Sequence, residues 1–179
     1  MIELSLHILD LIENSINAGA NEIRILLDIN EETDLLTLII EDNGKGFSVD
    51  EEQLFDPFYT TKKSKIVGMG LSLAKGSAER AGGDVVIGKS EDLGGARVAL
   101  TFVLSNIDRM PVGDLGNSIA GMFITNPNIN MQIYIIHNTH TLLSIHTGEC
   151  RERFSNMNDI EIYKLIENEI NNIIKTLKV

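Results

Sequence analysis

The chain is short of cysteine, proline and basic residues, and these shortages narrow the classes of protein to which it can belong. Its 179 residues include one cysteine, three prolines and no tryptophan. A single cysteine, Cys150, cannot form a disulfide within the chain, so a reducing, cytoplasmic location is expected. No apolar run reaches the ~20 residues that a membrane-spanning helix needs. The first residues carry an acid instead of the basic residues of a secretory signal, so we expect no such signal. Without a run of membrane-spanning length, we also expect no membrane partner.

Basic residues are outnumbered by acidic ones, 15 Lys and Arg against 26 Asp and Glu, which gives a net charge of -11. An acidic surface repels phosphate backbones, so we expect no nucleic-acid partner. A nucleotide is not excluded, because it binds as a magnesium complex in a locally arranged pocket. With 43% hydrophobic and 23% charged residues, the composition is that of a globular chain long enough for a core.

Hydrophobic periodicity predicts an ordered series of elements over the first part of the chain. The predicted elements are a helix, two strands, a long polar loop, a helix and two strands, at residues 3–18, 22–30, 35–42, 43–67, 71–81, 85–89 and 96–104. This order predicts an α+β fold, in which helices lie on one face of a mixed, mostly antiparallel sheet.

The part of the chain after residue 104 has a different pattern. The predicted elements are a short helix capped by Asp114 that runs through Phe123, strands at 131–137 and 141–147, and an amphipathic helix at 159–177. We therefore divide the chain into residues 1–104 and residues 105–179. The second part is interpreted as a small α/β extension that packs on the first part or continues it.

The first helix carries a polar stripe made of Asp10, Glu13, Asn14 and Asn17. Their spacing of i, i+3, i+4 and i+7 places them on one helix face. The simplest interpretation is a solvated face, which surface helices usually have. The functional alternative is a metal and phosphate face, on which an amide oxygen ligates magnesium and a carboxylate handles a proton.

Two glycine motifs follow in the chain. Asp42-Asn43-Gly44-Lys45-Gly46-Phe47 comes directly after a strand, where glycines allow close approach of the backbone to a flat ring and the acid can accept a hydrogen bond from an amine. A simple turn would use the same residue types. Gly68-Met69-Gly70-Leu71 opens a helix, whose free backbone N–H groups can bind phosphate, although such a short motif is a weak signal alone.

Taken in order, these motifs resemble those of the GHKL ATPases, which include histidine kinases, DNA gyrase, MutL and a heat-shock chaperone. Residues 11–20 resemble the N box in its MutL form, Asp42-x-Gly44-x-Gly46 is similar to the G1 box, and Gly68-x-Gly70-Leu71 resembles the G2 box. Residues 54–62, LFDPFYTTK, resemble the F box of histidine kinases. The closing strands, with Gly82-Gly83 and residues 94–98, resemble those of the kinases. The resemblance covers residues 3–104, and residues 105–179 show no comparable motif.

The resemblance implies a two-layer α/β sandwich of the GHKL type that binds ATP and Mg²⁺. Asn14 would ligate the magnesium ion, and Asp42 would accept a hydrogen bond from the adenine amine. Residues 47–67 would form the lid over ATP, in which Lys62, Lys63 and Lys65 either neutralise the terminal phosphates or belong to a solvated loop. The further residues expected at the nucleotide are Asn17, Gly44, Gly46, Phe47, Thr61, Gly68, Met69, Gly70 and Leu71.

The resemblance leaves the general base open. In MutL-like proteins and anti-sigma-factor kinases, an acid one helical turn before the magnesium-binding Asn activates the nucleophile. That position is Asp10 here, and Glu13 is the neighbouring alternative. Many kinase-type members of the family have no such base, which is the third alternative.

Three departures from the family pattern, and a group of histidines near Cys150, produce expectations of their own. No phosphoacceptor histidine box precedes the domain, and His7 is interpreted as a structural or surface histidine. Ala96 replaces a threonine on the adenine side, for which water or Thr101 could substitute. The missing first strand leaves a sheet edge open, which the hairpin at 131–147 or the last helix would cover. The residues His137, His140, His146 and Cys150 match no common zinc spacing, so we do not interpret them as a metal site.

These observations favour a stand-alone regulatory ATPase, or a protein kinase of the anti-sigma-factor type, that acts on a protein partner. The alternative is an ATP-gated interaction module whose lid becomes ordered on nucleotide binding. A MutL-like or gyrase-like motor is disfavoured, because the lid is short and no transducer domain follows. A homodimer is left open.

Overall fold

A computed structural model describes residues 3–47, 54–55 and 70–179 of the chain. The helices, numbered here in chain order, are α1 (Leu4–Asn17), α2 (Gly70–Arg80), α3 (Leu115–Thr125), α4 (Thr147–Arg153) and α5 (Asp159–Leu177). The strands are β1 (Glu22–Asn30), β2 (Leu35–Asp42), β3 (Val85–Lys89), β4 (Ala96–Val103), β5 (Asn130–His137) and β6 (His140–His146). None of the helices within the described ranges is long and apolar enough to cross a membrane.

The described strands form one six-stranded sheet in the order β3-β4-β2-β1-β5-β6. The pair β1–β5 is parallel, and the other four pairs are antiparallel. The prediction of a mixed, mostly antiparallel sheet is therefore confirmed.

Alternation of side chains along the strands determines which face of the sheet is covered. In β1, Ile23, Ile25, Leu27 and Ile29 are buried, whereas the residues between them are half-buried. The buried face packs against the helices in a single hydrophobic core. That core includes Ile8 and Ile12 of α1, Ile119 of α3 and Ile166 of α5, so both parts of the chain contribute to it. We call the other face, which no described helix covers, the open face.

The hairpin of β5 and β6 lies beside β1 and covers the sheet edge that we expected the missing first strand to leave open. The register pairs Glu22 with Asn130 and Ile29 with His137 in parallel. The expectation that the extension covers this edge is confirmed, and the hairpin is the element that does so. Helix α5 instead packs on α3 and contacts β6.

The structure adds one element that the sequence pattern did not predict, the short helix α4. The residues of α4, TGECRER, contain no apolar repeat, so periodicity gives no helical signal there. Glu149 lies in its first turn and Arg151 in its last, and charges in these positions stabilise a helix by interacting with its dipole. The Arg151 guanidinium donates to the carbonyl oxygens of Ile129 and Phe123 and thereby holds α4 against the core.

Candidate nucleotide-binding site

Asp42 is a buried acid of the predicted site, and several hydrogen bonds hold its carboxylate in place. It ends β2 and is only 3% exposed. Its Oδ2 accepts a hydrogen bond from the Ser15 hydroxyl at 2.6 Å. Its Oδ1 accepts from the backbone N–H groups of Gly44, at 2.9 Å, and Ala96, at 3.1 Å. Donors from α1, β4 and the turn after β2 therefore hold this carboxylate in one orientation.

Close backbone approach around Asp42 requires glycine at two positions. A Cβ placed on Gly95 would lie 2.4 Å from Asp42 Oδ1 and 2.6 Å from the Gly44 nitrogen. Gly46 has a φ of +70°, a conformation that L side chains rarely adopt. The segment after β2 and the turn before β4 therefore approach each other as only glycines allow.

Helix α1, which carries the predicted polar stripe, contacts this carboxylate through Ser15. Asp10 and Asn14 are half-buried, whereas Glu13 and Asn17 are exposed. The Ser15–Asp42 hydrogen bond ties this helix to the end of β2. Asn14 therefore lies next to Ser15, the residue that contacts Asp42, and Asp10 lies one helical turn before Asn14.

The carboxylate of Asp10 lies against the first described residue of α2. A Cβ placed on Gly70 would lie 1.5 Å from Asp10 Oδ2, so a side chain at that position would displace the Asp10 carboxylate. Leu71, the next residue, packs half-buried against the core. The second turn of α1, where Asp10 lies, and the start of α2 are therefore neighbours in space.

The remaining predicted site residues divide into two groups. Phe47 is half-buried against the core at the start of the predicted lid. The predictions for Thr61, Lys62, Gly68 and Met69, and for most of the lid, fall on residues outside the described ranges. At Leu54 and Phe55 the structure describes a short segment of the lid, where the Lys75 ammonium lies 4.2 Å from the centre of the Phe55 ring.

One expectation about the adenine side was wrong. Thr101 cannot replace the missing threonine, because its hydroxyl interacts with the backbone of Asp84, at the other end of β4 from Ala96. The donors to Asp42 in this region are instead the backbone N–H of Ala96 and the hydroxyl of Ser15. Sequence reasoning missed Ser15, although its place between Asn14 and the apolar face of α1 was a usable signal.

The histidines outside the site lie in three separate environments. The His137 Nε2 is 3.4 Å from Glu31, and the His140 Nδ1 is 2.9 Å from the Asn138 carbonyl oxygen. His146 contacts Tyr134 and Glu149. Within the described ranges, no group of three or more His, Cys, Asp or Glu side chains is arranged to hold a metal ion. His7, expected to be structural or surface, is a buried core residue.

Comparison with protein families identifies the group of ATPases to which this chain belongs. The model of the histidine kinase-, DNA gyrase B- and HSP90-like ATPases matches residues 2–106. The chain belongs to this ATPase family. The match covers α1 to β4, which contain every described residue of the predicted site.

Individual relatives of this GHKL ATPase domain match smaller shares of their own length. Sensor histidine kinase WalK of Bacillus subtilis (strain 168) is 33% identical over 84 residues, which cover 44% of this chain and 13% of that protein. The crystal structure of the N-terminal domain of a DNA repair protein has a TM-score of 0.52 and 17% identity, over 81% of this chain and 53% of that one. This second likeness shows the fold.

A further solved structure that resembles the GHKL domain is the Aquifex aeolicus MutL ATPase domain complexed with ADP. It has a TM-score of 0.47 and 15% identity, over 92% of this chain and 70% of that one.

The described residues fit the nucleotide that this family binds. Asp42 presents a buried carboxylate as a hydrogen-bond acceptor, and the glycines beside it let the backbone pack closely around that carboxylate. Asn14 offers an amide oxygen, which is a suitable ligand for magnesium. The site is therefore consistent with an ATP-binding domain of the histidine kinase-, DNA gyrase B- and HSP90-like ATPase family.

Proposed function

We propose that this chain is a regulatory ATPase or a protein kinase, which transfers the γ-phosphoryl group of ATP to water or to a hydroxyl group of a protein partner. The observation that carries this proposal is the position of Asp10. Its carboxylate lies one helical turn before Asn14 and against Gly70. Gly70 resembles a glycine of the G2 box, which contacts phosphate in the family. A half-buried carboxylate at this position can accept a proton from water or from a hydroxyl group.

Within this proposal, each residue of the site has a separate role. Asp42 accepts a hydrogen bond from the adenine amine and thereby favours ATP over GTP. Gly44 and Gly46 admit the base, Asn14 and Asn17 face the phosphates, and Asn14 holds Mg²⁺. Bound ATP supplies a transferable phosphoryl group, and Asp10 is the base. Glu13 is the weaker candidate for the base, because it is exposed.

We further propose that residues 1–104 form the ATP-binding unit and residues 105–179 an extension that completes it. The family model ends at residue 106, close to the predicted boundary. The sheet and the core nevertheless continue across that boundary through β5. A protein partner would therefore bind to a unit built from both parts.

The proposal is tested by separating ATP binding from turnover. Calorimetry measures the Kd for Mg-ATP, and phosphate release and γ-phosphate labelling of co-purified protein measure turnover. Asp42→Asn should weaken ATP binding about 10- to 100-fold, because hydrogen bonds to a charged group are worth about 1.5–3 kcal/mol.

Asp10→Asn should keep ATP binding and lower turnover by about 10²-fold or more. Glu13→Gln, three residues away on the same helix face, is the matched control and should change neither quantity. Turnover that is unchanged by Asp10→Asn would remove the proposed base. Tight ATP binding with no turnover in the unmodified protein would favour the ATP-gated interaction module.

A further inference from the structure

The open face of the sheet carries a hydroxyl–imidazole–carboxylate series that the ATP site does not use. The Tyr134 hydroxyl of β5 lies 2.9 Å from Nε2 of His146, the last residue of β6. The two rings pack edge to face, with centroids 5.8 Å apart and planes at 76°. The Nδ1 of His146 lies 3.1 Å from Oε1 of Glu149 in α4. Both the tyrosine and the histidine are half-buried, so reagents can reach them.

The order of these three groups determines the direction of the hydrogen bonds. A carboxylate can only accept, so Nδ1 of His146 must carry the proton that it shares with Glu149. In a neutral imidazole, Nε2 is then unprotonated and accepts from the Tyr134 hydroxyl. A hydroxyl beside a base that a carboxylate orients is the arrangement that activates oxygen nucleophiles in enzymes.

We propose that Tyr134, His146 and Glu149 form a phosphoacceptor site, in which Tyr134 accepts the γ-phosphoryl group of ATP. This proposal rests on the proposed function, because it names the acceptor for that ATP site. The phenolic oxygen forms the new O–P bond as the bond between the γ-phosphorus and its bridging oxygen breaks. The phenolic proton moves to Nε2 of His146, Glu149 stabilises the imidazolium, and ADP leaves with the bonding electron pair.

One guanidinium lies near Tyr134, and the two faces of the sheet show where the phosphoryl donor must come from. Arg24 donates to Oε1 of Gln132 at 3.3 Å, and that oxygen lies 3.5 Å from the Tyr134 hydroxyl, so a guanidinium stands near the acceptor. Arg24 also pairs with Asp92 and Glu41. Asp42 lies on the helix-covered face and Tyr134 on the open face, so a second copy of the chain must present the ATP.

The first experiment tests the nucleophile without ATP. An arylsulfonyl fluoride reacts with activated tyrosine hydroxyls, and mass spectrometry of peptides gives the labelling rate at each tyrosine. Tyr163 is an internal reference, because its hydroxyl donates a hydrogen bond to the Asn117 side chain and it has no imidazole partner among the described residues. Burial and the neighbouring carboxylates Glu167 and Asp114 raise the pKa of Tyr163, so it should react slowly.

The deciding quantity is the labelling rate of Tyr134 divided by that of Tyr163. His146→Phe keeps a ring against Tyr134 but removes the base, so this ratio should fall at least about tenfold. Glu149→Gln keeps the shape and loses the charge, so the ratio should fall by a smaller factor. A ratio that His146→Phe leaves unchanged overturns the proposed activation, whatever the protein does with ATP.

The second experiment uses γ-labelled ATP and a mixture of two variants. Asp42→Asn, which keeps Tyr134, is mixed with Tyr134→Phe, which keeps the ATP site. Phosphotyrosine at residue 134 of the Asp42→Asn chain is the expected result. Acid-labile label on His146, or no label on Tyr134 from a partner that calorimetry shows to bind ATP, overturns the phosphoacceptor. If calorimetry instead shows no ATP binding, the proposed function fails, and the sulfonyl fluoride ratio still decides the nucleophile.

Discussion

His7 is a buried histidine of α1, and neither of its ring nitrogens has a hydrogen-bond partner in the described parts of the chain. Burial, assisted by the positive charges of the chain's N-terminus and Arg80, lowers the pKa of His7 from 6.5 to about 4. The folded protein therefore holds this imidazole neutral. The unfolded chain binds a proton there as the pH falls below 6.5.

This difference predicts a loss of stability in acid. The contribution of His7 to the free energy of unfolding is fully present above pH 6.5 and is lost as the pH falls towards 4. The total loss is about 3 kcal/mol, at about 1.4 kcal/mol per pKa unit. Urea unfolding at pH 7, 5.5 and 4 measures the effect. His7→Leu should lose about 3 kcal/mol less than the unmodified protein over this range. If the free energies of unfolding of the two proteins fell in parallel with pH, the folded protein would bind a proton at His7 as readily as the unfolded chain does.

Gly95 provides a second residue-level prediction, because a methyl group there would collide with the carboxylate of Asp42. Gly95→Ala should displace Asp42 or the Gly44 backbone, weaken ATP binding at least about tenfold and destabilise the fold by about 1–3 kcal/mol. Gly88→Ala is the matched control, since a Cβ there meets nothing within 4 Å. Calorimetry and urea unfolding measure both effects. Equal ATP affinities for the two variants would contradict this account of the site.

Two glycines of α3 make its packing on α5 testable at the level of the helices. A Cβ on Gly116 would lie 2.4 Å from the Glu167 carbonyl oxygen of α5, whereas a Cβ on Gly121 would meet nothing within 4 Å. The Gly116 N–H also donates to the Asn171 side chain at 2.9 Å, and Asn171 donates to Asp114. This crossing therefore needs glycine at one of the two positions only.

The same alanine substitution should accordingly have opposite effects at the two sites. Gly116→Ala should push α5 outward and lower the free energy of unfolding by about 1–3 kcal/mol. Gly121→Ala should raise it by about 0.5–1 kcal/mol, because alanine favours a helix over the unfolded chain. Urea unfolding of the two variants gives both numbers. Destabilisation of similar size in both variants would mean that close packing is not the reason for Gly116.

The individual elements were more predictable than their neighbours in the sheet. Strands β1 and β2 and helix α5 begin and end at the predicted residues, because alternation and helical period are local properties of the sequence. The parallel pairing of β1 with β5 was not predicted, since periodicity says which face a strand buries and not which strand lies beside it. Ser15 was missed for a similar reason: its partner, Asp42, lies 27 residues away.

For the whole molecule, the shared core predicts that residues 1–104 do not fold stably alone. Removing residues 105–179 would uncover the edge of β1 and expose core residues of α1, which packs against α3. A fragment of residues 1–104 should lose cooperative unfolding and ATP binding, and it should aggregate through the uncovered strand. Circular dichroism, calorimetry and light scattering measure these properties.

Cleavage of the chain without removal of the extension is the control for this truncation. Ile107 is 97% exposed, so a protease site inserted beside it should be accessible and tolerated. The cleaved protein, with both pieces still associated, should keep ATP binding. A soluble fragment of residues 1–104 with the stability and ATP affinity of the full chain would contradict the role given to the hairpin.

The parallel pairing of β1 and β5 also affects how the chain emerges from the ribosome. Arg24 and Gln132, which face each other across this pair, are separated by 108 residues in sequence. Contacts at such a distance close slowly, because the intervening loop loses entropy before they form. A nascent chain that already contains the whole nucleotide site must therefore wait, with one side of β1 unpaired, until the hairpin has been synthesised. During that interval the segment from 22 to 30 is a natural binding site for a chaperone, and synonymous codons that slow translation between residues 105 and 130 should lower the yield of folded protein.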